Sequence, residues 1–206
     1  MQIKNIGQSQ NGFTLLELLI ATTVFSTILL LCTYGLIQIG NTFYKGSTAV
    51  RTQNINRGAI DNISQAIQYG GRGVLTNAVD TMTGPAREIV ATTQSNGVFC
   101  TGNVRYRFNR NTRVQGTNWA LLMDELPTGG GCVFDFSKGS ARELLGENMR
   151  IVDLAITEKD DESFDINLSV AYGDDDQLTA GKCNPGAGSQ FCATSTFNTS
   201  VQRRIQ

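Results

Sequence analysis

One apolar run near the N-terminus constrains this chain more than any other feature. Residues 13–39 form 27 consecutive positions that carry a single charged side chain, Glu17. In a helix with a rise of about 1.5 Å per residue, this run extends roughly 40 Å. That length exceeds the hydrocarbon layer of a bilayer, which is about 30 Å thick. The run therefore predicts a membrane-spanning helix behind a short polar leader, residues 1–12, whose Lys4 favours the cytoplasmic side.

Three other kinds of N-terminal segment compete with this interpretation. A secretory signal peptide has a shorter apolar stretch and an A-x-A-like cleavage site, and this run is too long and lacks that site. A lipoprotein signal would place a small residue before its cysteine, but Leu31 precedes Cys32. An ordinary signal anchor fits the length and the lysine equally well, so length alone does not exclude it.

Glu17 separates these alternatives, because an ionisable carboxylate inside a membrane segment costs a few kcal/mol and indicates function by default. It lies four positions after Phe13 and five after Gly12. Cleavage between Gly12 and Phe13 would create an α-amine one helical turn from this carboxylate, so the two charges could pair within a chain or between neighbouring chains. Pairing between neighbours would offset the cost of burying both charges and would set the axial register of an assembly.

The segment GFTLLE at residues 12–17, followed by an uninterrupted apolar run, resembles the type IV prepilin (class III) signal. The resemblance implies that a prepilin peptidase, a membrane aspartyl protease, cleaves after Gly12 and methylates the amine of Phe13. It also implies that Glu17 sets the assembly register. Many major pilins have a helix-bending proline within the membrane segment, whereas residues 32–35 contain none. This departure favours a minor pilin or a pseudopilin.

Composition argues against catalysis. The chain contains no histidine and has a formal net charge of −1 at pH 7. The missing histidine removes Ser-His-Asp and Cys-His sites and imidazole acid-base chemistry, so we expect a protein that is not an enzyme and uses no cofactor. The near-neutral charge attracts no nucleic acid. Residues 105–110 interleave arginines and aromatics, but in a strand these alternate between faces, and we expect Trp119 in the core.

The five cysteines divide by position. Cys32 lies inside the apolar run, where we expect a free thiol. An even set behind a membrane anchor predicts two disulfides and an oxidising compartment. Pairing of sequence neighbours, Cys100 with Cys132 and Cys183 with Cys192, is our choice among three connectivities. A zinc site with four cysteine ligands is the alternative, although the sequence has no C-x-x-C pair.

The segment that follows the apolar run predicts a continued helix with one apolar stripe. Asn56 is among the polar residues that fall on its other faces. Gly70 and Gly71 then supply a stop, with left-handed backbone geometry available at no steric cost. The stripe recurs at three- and four-residue steps and consists of Ala59, Ile60, Ile63, Ala66 and Ile67.

Short strands are predicted beyond this helix, at 87–92, 103–109, 118–123, 132–136, 149–157 and 164–172. The fold class is therefore α+β and pilin-like: a long N-terminal α-helix, with a membrane half and an amphipathic half, packed on an antiparallel β-sheet head. The expected parts are a cleaved leader (1–12), a transmembrane or filament-core helix (13–40), its amphipathic second half (41–70) and a β-rich head with a disulfide-closed C-terminal region (71–206).

An acidic run after the last predicted strand offers hard oxygen donors for calcium at Asp174, Asp175 and Asp176. The run lacks the D-x-[DN]-x-[DN]-G pattern, and consecutive acids on a turn are usually solvated. We therefore predict no metal site and keep these residues as a calcium candidate. Arg203 and Arg204 are expected to be solvated or to pair with this acidic loop.

In the second half of the chain, the segment GENM at residues 146–149 leads into a strand, and an alternating strand and a disulfide-closed stretch follow. This order, over roughly residues 130–206, is similar to PilW-like minor pilins and J-class pseudopilins. The resemblances together imply a structural minor pilin that joins a type IV pilus through its apolar helix. The alternatives are a pseudopilin of a type II secretion or DNA-uptake (competence) system and a pilus-tip adhesin. The implied partners are other pilin or pseudopilin subunits, prepilin peptidase, an inner-membrane assembly platform and, before assembly, the membrane. The head would lie outside the cytoplasm, and later in an extracellular pilus or a periplasmic or wall-spanning pseudopilus.

Overall fold

The computed structural model describes residues 12–70, 75–76, 87–126, 131–160, 162–186 and 188–204. Two features used in the sequence predictions, the leader over residues 1–11 and Gly71, lie outside these ranges. The chain divides into two compact units, Met1–Phe43 and Tyr44–Gln206. The sequence placed the equivalent boundary between residues 40 and 41.

A single 55-residue helix, α1, spans Leu15–Tyr69 and therefore contributes to both units. It contains no proline, and it continues through four glycines, whose backbone is the least constrained: Gly35, Gly40, Gly46 and Gly58. One helix packed against antiparallel sheets is the α+β, pilin-like layout that the sequence predicted, so the fold class is confirmed.

The second unit contains two larger antiparallel sheets. The first has strand order β1-β3-β4-β5-β6 and the second has strand order β11-β8-β7-β2. A small third sheet pairs β9 with β10. The strands are β1 (Leu75–Thr76), β2 (Arg87–Val90), β3 (Asn96–Thr101), β4 (Val104–Asn109), β5 (Leu121–Glu125), β6 (Arg142–Glu143), β7 (Met149–Asp160), β8 (Ser163–Tyr172), β9 (Leu178–Thr179), β10 (Lys182–Cys183) and β11 (Ala193–Gln202).

One hydrophobic core joins the helix to both sheets. The predicted stripe of α1 faces it: Ala59, Ile60, Ile63 and Ile67 are buried. Ala66 is half-buried and packs against the same core. In β8, apolar and polar positions alternate as predicted, with the apolar ones inward. The inward side chains of β8 are Phe164, Ile166, Leu168 and Val170.

The prediction that Asn56 faces away from the core is wrong, because its side chain is fully buried between α1 and the second sheet. Its amide nitrogen donates to the carbonyl oxygens of Ser195, at 2.9 Å, and Leu168, at 3.2 Å. These carbonyls lie on adjacent strands, β11 and β8, so one side chain ties the helix to both. A buried amide is tolerated in an apolar core only with such partners.

Gly70 ends α1 for a different reason from the one predicted. Its backbone is not left-handed; instead, a Cβ at this position would lie 2.6 Å from the carbonyl oxygen of Ala66 and 2.6 Å from Oγ1 of Thr101. Gly102, in the turn between β3 and β4, does have a positive φ of 57° and contacts Gly70. Glycine is therefore needed because the helix end and the strand turn approach each other closely.

Two strand predictions need correction. Residues 132–136 are described and form no strand, and the strand predicted at 118–123 begins only at Leu121. β3 and β11 were missed. Position 97 of β3 requires glycine, because a Cβ there would lie 2.8 Å from Cζ of the Phe108 ring.

Candidate N-terminal processing and assembly site

The predicted cleavage point lies just outside the start of α1. Gly12, Phe13 and Thr14 are not helical, and Gly12 and Phe13 are exposed. The side chain of Phe13 is 82% exposed. A protease binds its substrate in an extended form, which a peptide bond within a helix cannot adopt without unwinding. The Gly12–Phe13 bond therefore occupies a segment that can be cut without disturbing α1.

Thr14 and Glu17 fix the point at which the helix begins. The backbone nitrogen of Thr14 donates to a carboxylate oxygen of Glu17 at 3.0 Å, and the backbone nitrogen of Glu17 donates to Oγ1 of Thr14 at 3.2 Å. The Thr14 hydroxyl also donates to the same carboxylate at 3.1 Å. This reciprocal pair is a capping box, which satisfies two of the free N–H groups at a helix start.

The capping box is a role for Glu17 that the sequence predictions missed, although the T-x-x-E spacing of residues 14–17 indicates it. The role in assembly register stays a prediction; the structure places the carboxylate at the amino end of α1, where the helix dipole favours a negative charge. Removal of the leader would add the α-amine of Phe13 one residue before Thr14. The same carboxylate could then bind the helix cap and an amine of its own or of a neighbouring chain.

The apolar half of α1 satisfies its own polar groups. Five hydroxyl groups in this segment each donate to a backbone carbonyl three or four residues earlier, at 2.7–3.0 Å. Such bonds remove the cost of bringing a hydroxyl group into hydrocarbon. The large apolar side chains around them are exposed in the single chain. The five residues are Thr22, Thr23, Ser26, Thr27 and Thr33.

By length and composition, α1 is one candidate membrane span near the N-terminus. Cys32 lies within it as an exposed free thiol. Exposure of many leucine and isoleucine side chains along a helix is unfavourable in water. This half of α1 therefore requires a lipid environment or the apolar surfaces of other helices.

The head carries two disulfides. Cys100 is bonded to Cys132 and Cys183 to Cys192, so each bond joins cysteines that are adjacent in the sequence. The first ties the segment after residue 130 to β3. The second closes the turn region between β10 and β11.

The arginines of β4 bind the segment that follows Cys132 and the neighbouring strand β5. Arg107 is buried and donates to the carbonyl oxygens of Asp135, at 2.8 Å, and Ser137, at 2.5 Å. Arg105 donates from Nε to Asp124 at 3.0 Å, and this hydrogen bond raises the pKa of the guanidinium. Trp119 is buried, as expected, and donates to the carbonyl oxygen of Phe136 at 3.0 Å. Arg107 therefore binds the loop at residues 135–137, and Arg105 pairs with Asp124 of β5.

Asp174, Asp175 and Asp176 do not converge on a common point. Asp174 pairs with Arg113, and Asp175 pairs with Arg150 at 2.7 Å. The backbone carbonyl of Asp176 accepts from Asn184. Among the described residues, no cluster of three or more histidine, cysteine, aspartate or glutamate side chains could hold a metal ion. The structure therefore gives the calcium candidate no support.

Half-buried Glu143 and fully buried Tyr106 both serve the packing of the head. Burial raises the pKa of Glu143 above its usual range, while its carboxylate accepts from the backbone nitrogens of Ala120, Leu121 and Leu145. Burial also raises the pKa of the Tyr106 hydroxyl, which donates to Oδ1 of Asn62 on α1 at 2.9 Å.

The comparisons with known proteins identify the N-terminal segment. Residues 7–33 match the family model described as the prokaryotic N-terminal methylation motif. This match covers the Gly12–Phe13 bond, the capping box and most of the apolar half of α1. No curated protein and no solved structure matches the chain.

Proposed function

We propose, from the premise that this chain is a type IV prepilin-like protein, that it is a minor pilin, incorporated into a type IV pilus through its N-terminal helix. A protein with this motif is processed by prepilin peptidase and assembles with other pilin subunits. Within the fibre, we propose that the chain acts as a structural subunit and not as an enzyme.

The observation that carries the proposal is the combination of motif and helix. The methylation motif is followed by an apolar helix segment with exposed side chains and one carboxylate, Glu17. A lone anchor needs only the apolar surface. A carboxylate held at the helix start adds a specific site for a cation, and cleavage at Gly12 supplies that cation at Phe13.

Assembly would then follow from two effects. Transfer of the apolar half of α1 from lipid into a bundle of similar helices exchanges one apolar environment for another, so packing and polar pairing decide the position of the helix. Pairing of Glu17 with the Phe13 amine of a neighbour favours one axial register, because any other leaves two charges unpaired in an apolar surrounding.

The methylation motif and the apolar helix fit a precursor that is anchored in the membrane. We propose that the head lies outside the cytoplasm, and the two disulfides support this orientation because such bonds persist in oxidising compartments. An inner-membrane assembly platform would extract the processed subunit from the bilayer. The absence of proline from the 55 residues of α1 supports a minor pilin or pseudopilin over a major pilin.

A pseudopilin of a secretion or DNA-uptake system is the second candidate, because the proline-free helix supports it equally. Both roles use the same processing and the same helix pairing. They differ in where the fibre ends, which a fractionation experiment resolves.

The experiment uses the native host with the gene deleted and complemented by a tagged copy. Surface fibres are sheared from the cells, purified and probed for the chain, and fibres are counted by electron microscopy. A minor pilin is recovered in sheared fibres at low abundance, and fibre number falls in the deletion strain. Unchanged fibres that lack the chain, together with loss of protein secretion or DNA uptake, would overturn the minor-pilin proposal in favour of the pseudopilin.

A further inference from the structure

The free edge of the second sheet is built for pairing with another strand. β11 is the end strand of this sheet and pairs over its whole length with β8. It contains no proline, glycine or charged residue. Its pairing with β8 also has no register shift, whereas the pairing of β7 with β8 has two. Protein sheets usually protect an edge of this length with such features.

Side-chain contacts show which backbone groups of β11 face outward. In an antiparallel pair, residues that exchange no backbone bonds with the opposite strand alternate with those that do, and their side chains are closer. Thr196 and Ser169 are hydrogen-bonded through their hydroxyls at 2.7 Å, and Ser200 donates to Asp165 at 2.6 Å. Just beyond β11, the backbone nitrogen of Arg203 donates to the carbonyl oxygen of Glu162 at 2.7 Å. Since bonded positions alternate along a strand, the odd-numbered residues of β11 are the ones whose backbone groups bond β8.

The even-numbered residues therefore direct their backbone N–H and C=O groups away from β8. Their side chains are all exposed. In the part of the chain that the structure describes, these residues form no backbone hydrogen bond with another element. They span about 20 Å of strand at roughly 3.4 Å per residue. The residues concerned are Thr196, Asn198, Ser200 and Gln202.

A positive charge beside β11 indicates which side chains an added strand would carry on its helix-facing side. Arg57 of α1 is exposed and lies over the ring of Phe197, an inward residue of β11, at 5.5 Å. The ion pairs of the described residues include no acidic partner for Arg57. A strand added beyond β11 would place its helix-facing side chains next to Phe197 and within reach of this guanidinium. An acidic side chain fits that position.

We infer that β11 binds an extended segment of a different, neighbouring subunit by strand addition, with an acidic side chain of that segment facing Arg57. The inference rests on the proposed function, since it requires an assembly. A second copy suits this edge less well. β11 itself contains no charged residue, so a second copy that pairs through the same edge would not supply an acidic side chain opposite Arg57.

The test compares two substitutions at one position of the full-length chain. Both Asn198→Pro and Asn198→Ala remove the exposed amide side chain, but only proline removes the outward N–H and places a ring in the path of an incoming strand. Because the backbone N–H of Asn198 points away from β8, neither substitution removes a hydrogen bond between the two strands. The head should therefore fold in both variants, and resistance to trypsin checks this. We expect Asn198→Pro to lower recovery in the assembled fraction at least tenfold, and Asn198→Ala to lower it less than twofold.

Hydrogen exchange of the wild-type chain gives an independent reading. The amides of Thr196, Asn198 and Ser200 should exchange at least tenfold more slowly in the assembled fraction than in detergent-solubilised chain. Equal exchange in both states, or normal assembly of Asn198→Pro, would overturn the inference. Protection that appears in the purified chain as its concentration rises would identify a second copy and would also overturn it. Loss of assembly by both variants and by wild type would instead contradict the proposed function.

Discussion

The two halves of α1 differ in what surrounds them. In the first unit, the large apolar side chains are exposed, and the polar groups bond within the helix itself. In the second unit, the same helix buries one stripe against two sheets and uses Asn56, Asn62 and the carbonyl of Ala66 to bind them. The head supplies its half of the helix with apolar contacts and hydrogen bonds from both sheets. The exposed side chains of the apolar half fit lipid or the apolar surfaces of other subunits.

This comparison predicts that the two halves of α1 contribute separately to assembly and to folding. Substitutions in the first unit should alter incorporation and leave the stability of the head unchanged. Substitutions in the second unit should alter stability and leave membrane insertion unchanged.

The largest effect is expected at Glu17. Glu17→Ala should insert into the membrane but leave the Phe13 amine unpaired in the assembly. Breaking a buried charge pair costs about 3–5 kcal/mol, which corresponds to roughly a hundredfold or greater loss of incorporation. Quantitative immunoblotting of sheared and membrane fractions measures it.

Thr14→Ala is the matched control for Glu17, because it removes the capping box and keeps the carboxylate. Loss of a helix cap costs about 1 kcal/mol, so incorporation should fall only severalfold. Equal losses for the two variants would show that Glu17 acts through the cap alone.

The disulfides should affect only the head. In the chain-entropy account, the bond that separates cysteines by 32 residues stabilises by roughly 3–4 kcal/mol, and the bond that separates them by 9 by roughly 2–3 kcal/mol. Replacing Cys100 and Cys132 by serine should therefore lower the free energy of unfolding more than replacing Cys183 and Cys192. Urea unfolding in detergent measures the order, and a reversed order would contradict the chain-entropy account.

Asn56→Ala should remove the bonds that hold α1 to β8 and β11. Because the side chain is buried, the expected loss is about 1–3 kcal/mol of unfolding free energy. Asn54→Ala, an exposed neighbour on the same helix, serves as control and should change stability by less than about 0.5 kcal/mol. A similar, small effect for both would show that the buried amide contributes little.

The smallest effect is expected from Tyr106 and depends on pH. Burial raises the pKa of its hydroxyl in the folded head above the unfolded value of about 10. Above pH 10 the unfolded chain therefore binds fewer protons than the folded one, and stability falls by up to about 1.4 kcal/mol per pH unit. Tyr106→Phe should lose this part of the alkaline dependence. Parallel pH profiles of the two proteins would contradict the assignment.

The sequence predicted the elements whose apolar pattern is regular. The helix, its stripe and β8 repeat apolar residues with the periods that helices and strands require. β11 was missed because small polar residues occupy inward positions, Ser195 among them, so that its burial pattern does not appear as a hydrophobic alternation.

The error at residues 132–136 has a different origin. The segment has strand-forming residues, but its backbone carbonyls at Val133 and Asp135 accept hydrogen bonds from arginine side chains instead of a neighbouring strand. Cys132 is tied to β3 at the same time. Long-range partners of this kind leave no local pattern. At the N-terminal site the opposite holds, because the motif and the capping box both lie within residues 12–17 and are readable from the sequence.

The central claim is that the first unit becomes an assembly element when its leader is removed. Intact-mass and N-terminal analysis of the chain recovered from the assembled fraction of cells with active peptidase tests it most directly. The mature chain should begin at Phe13 with a methylated amine. An assembled chain that still carries residues 1–12 would contradict the claim.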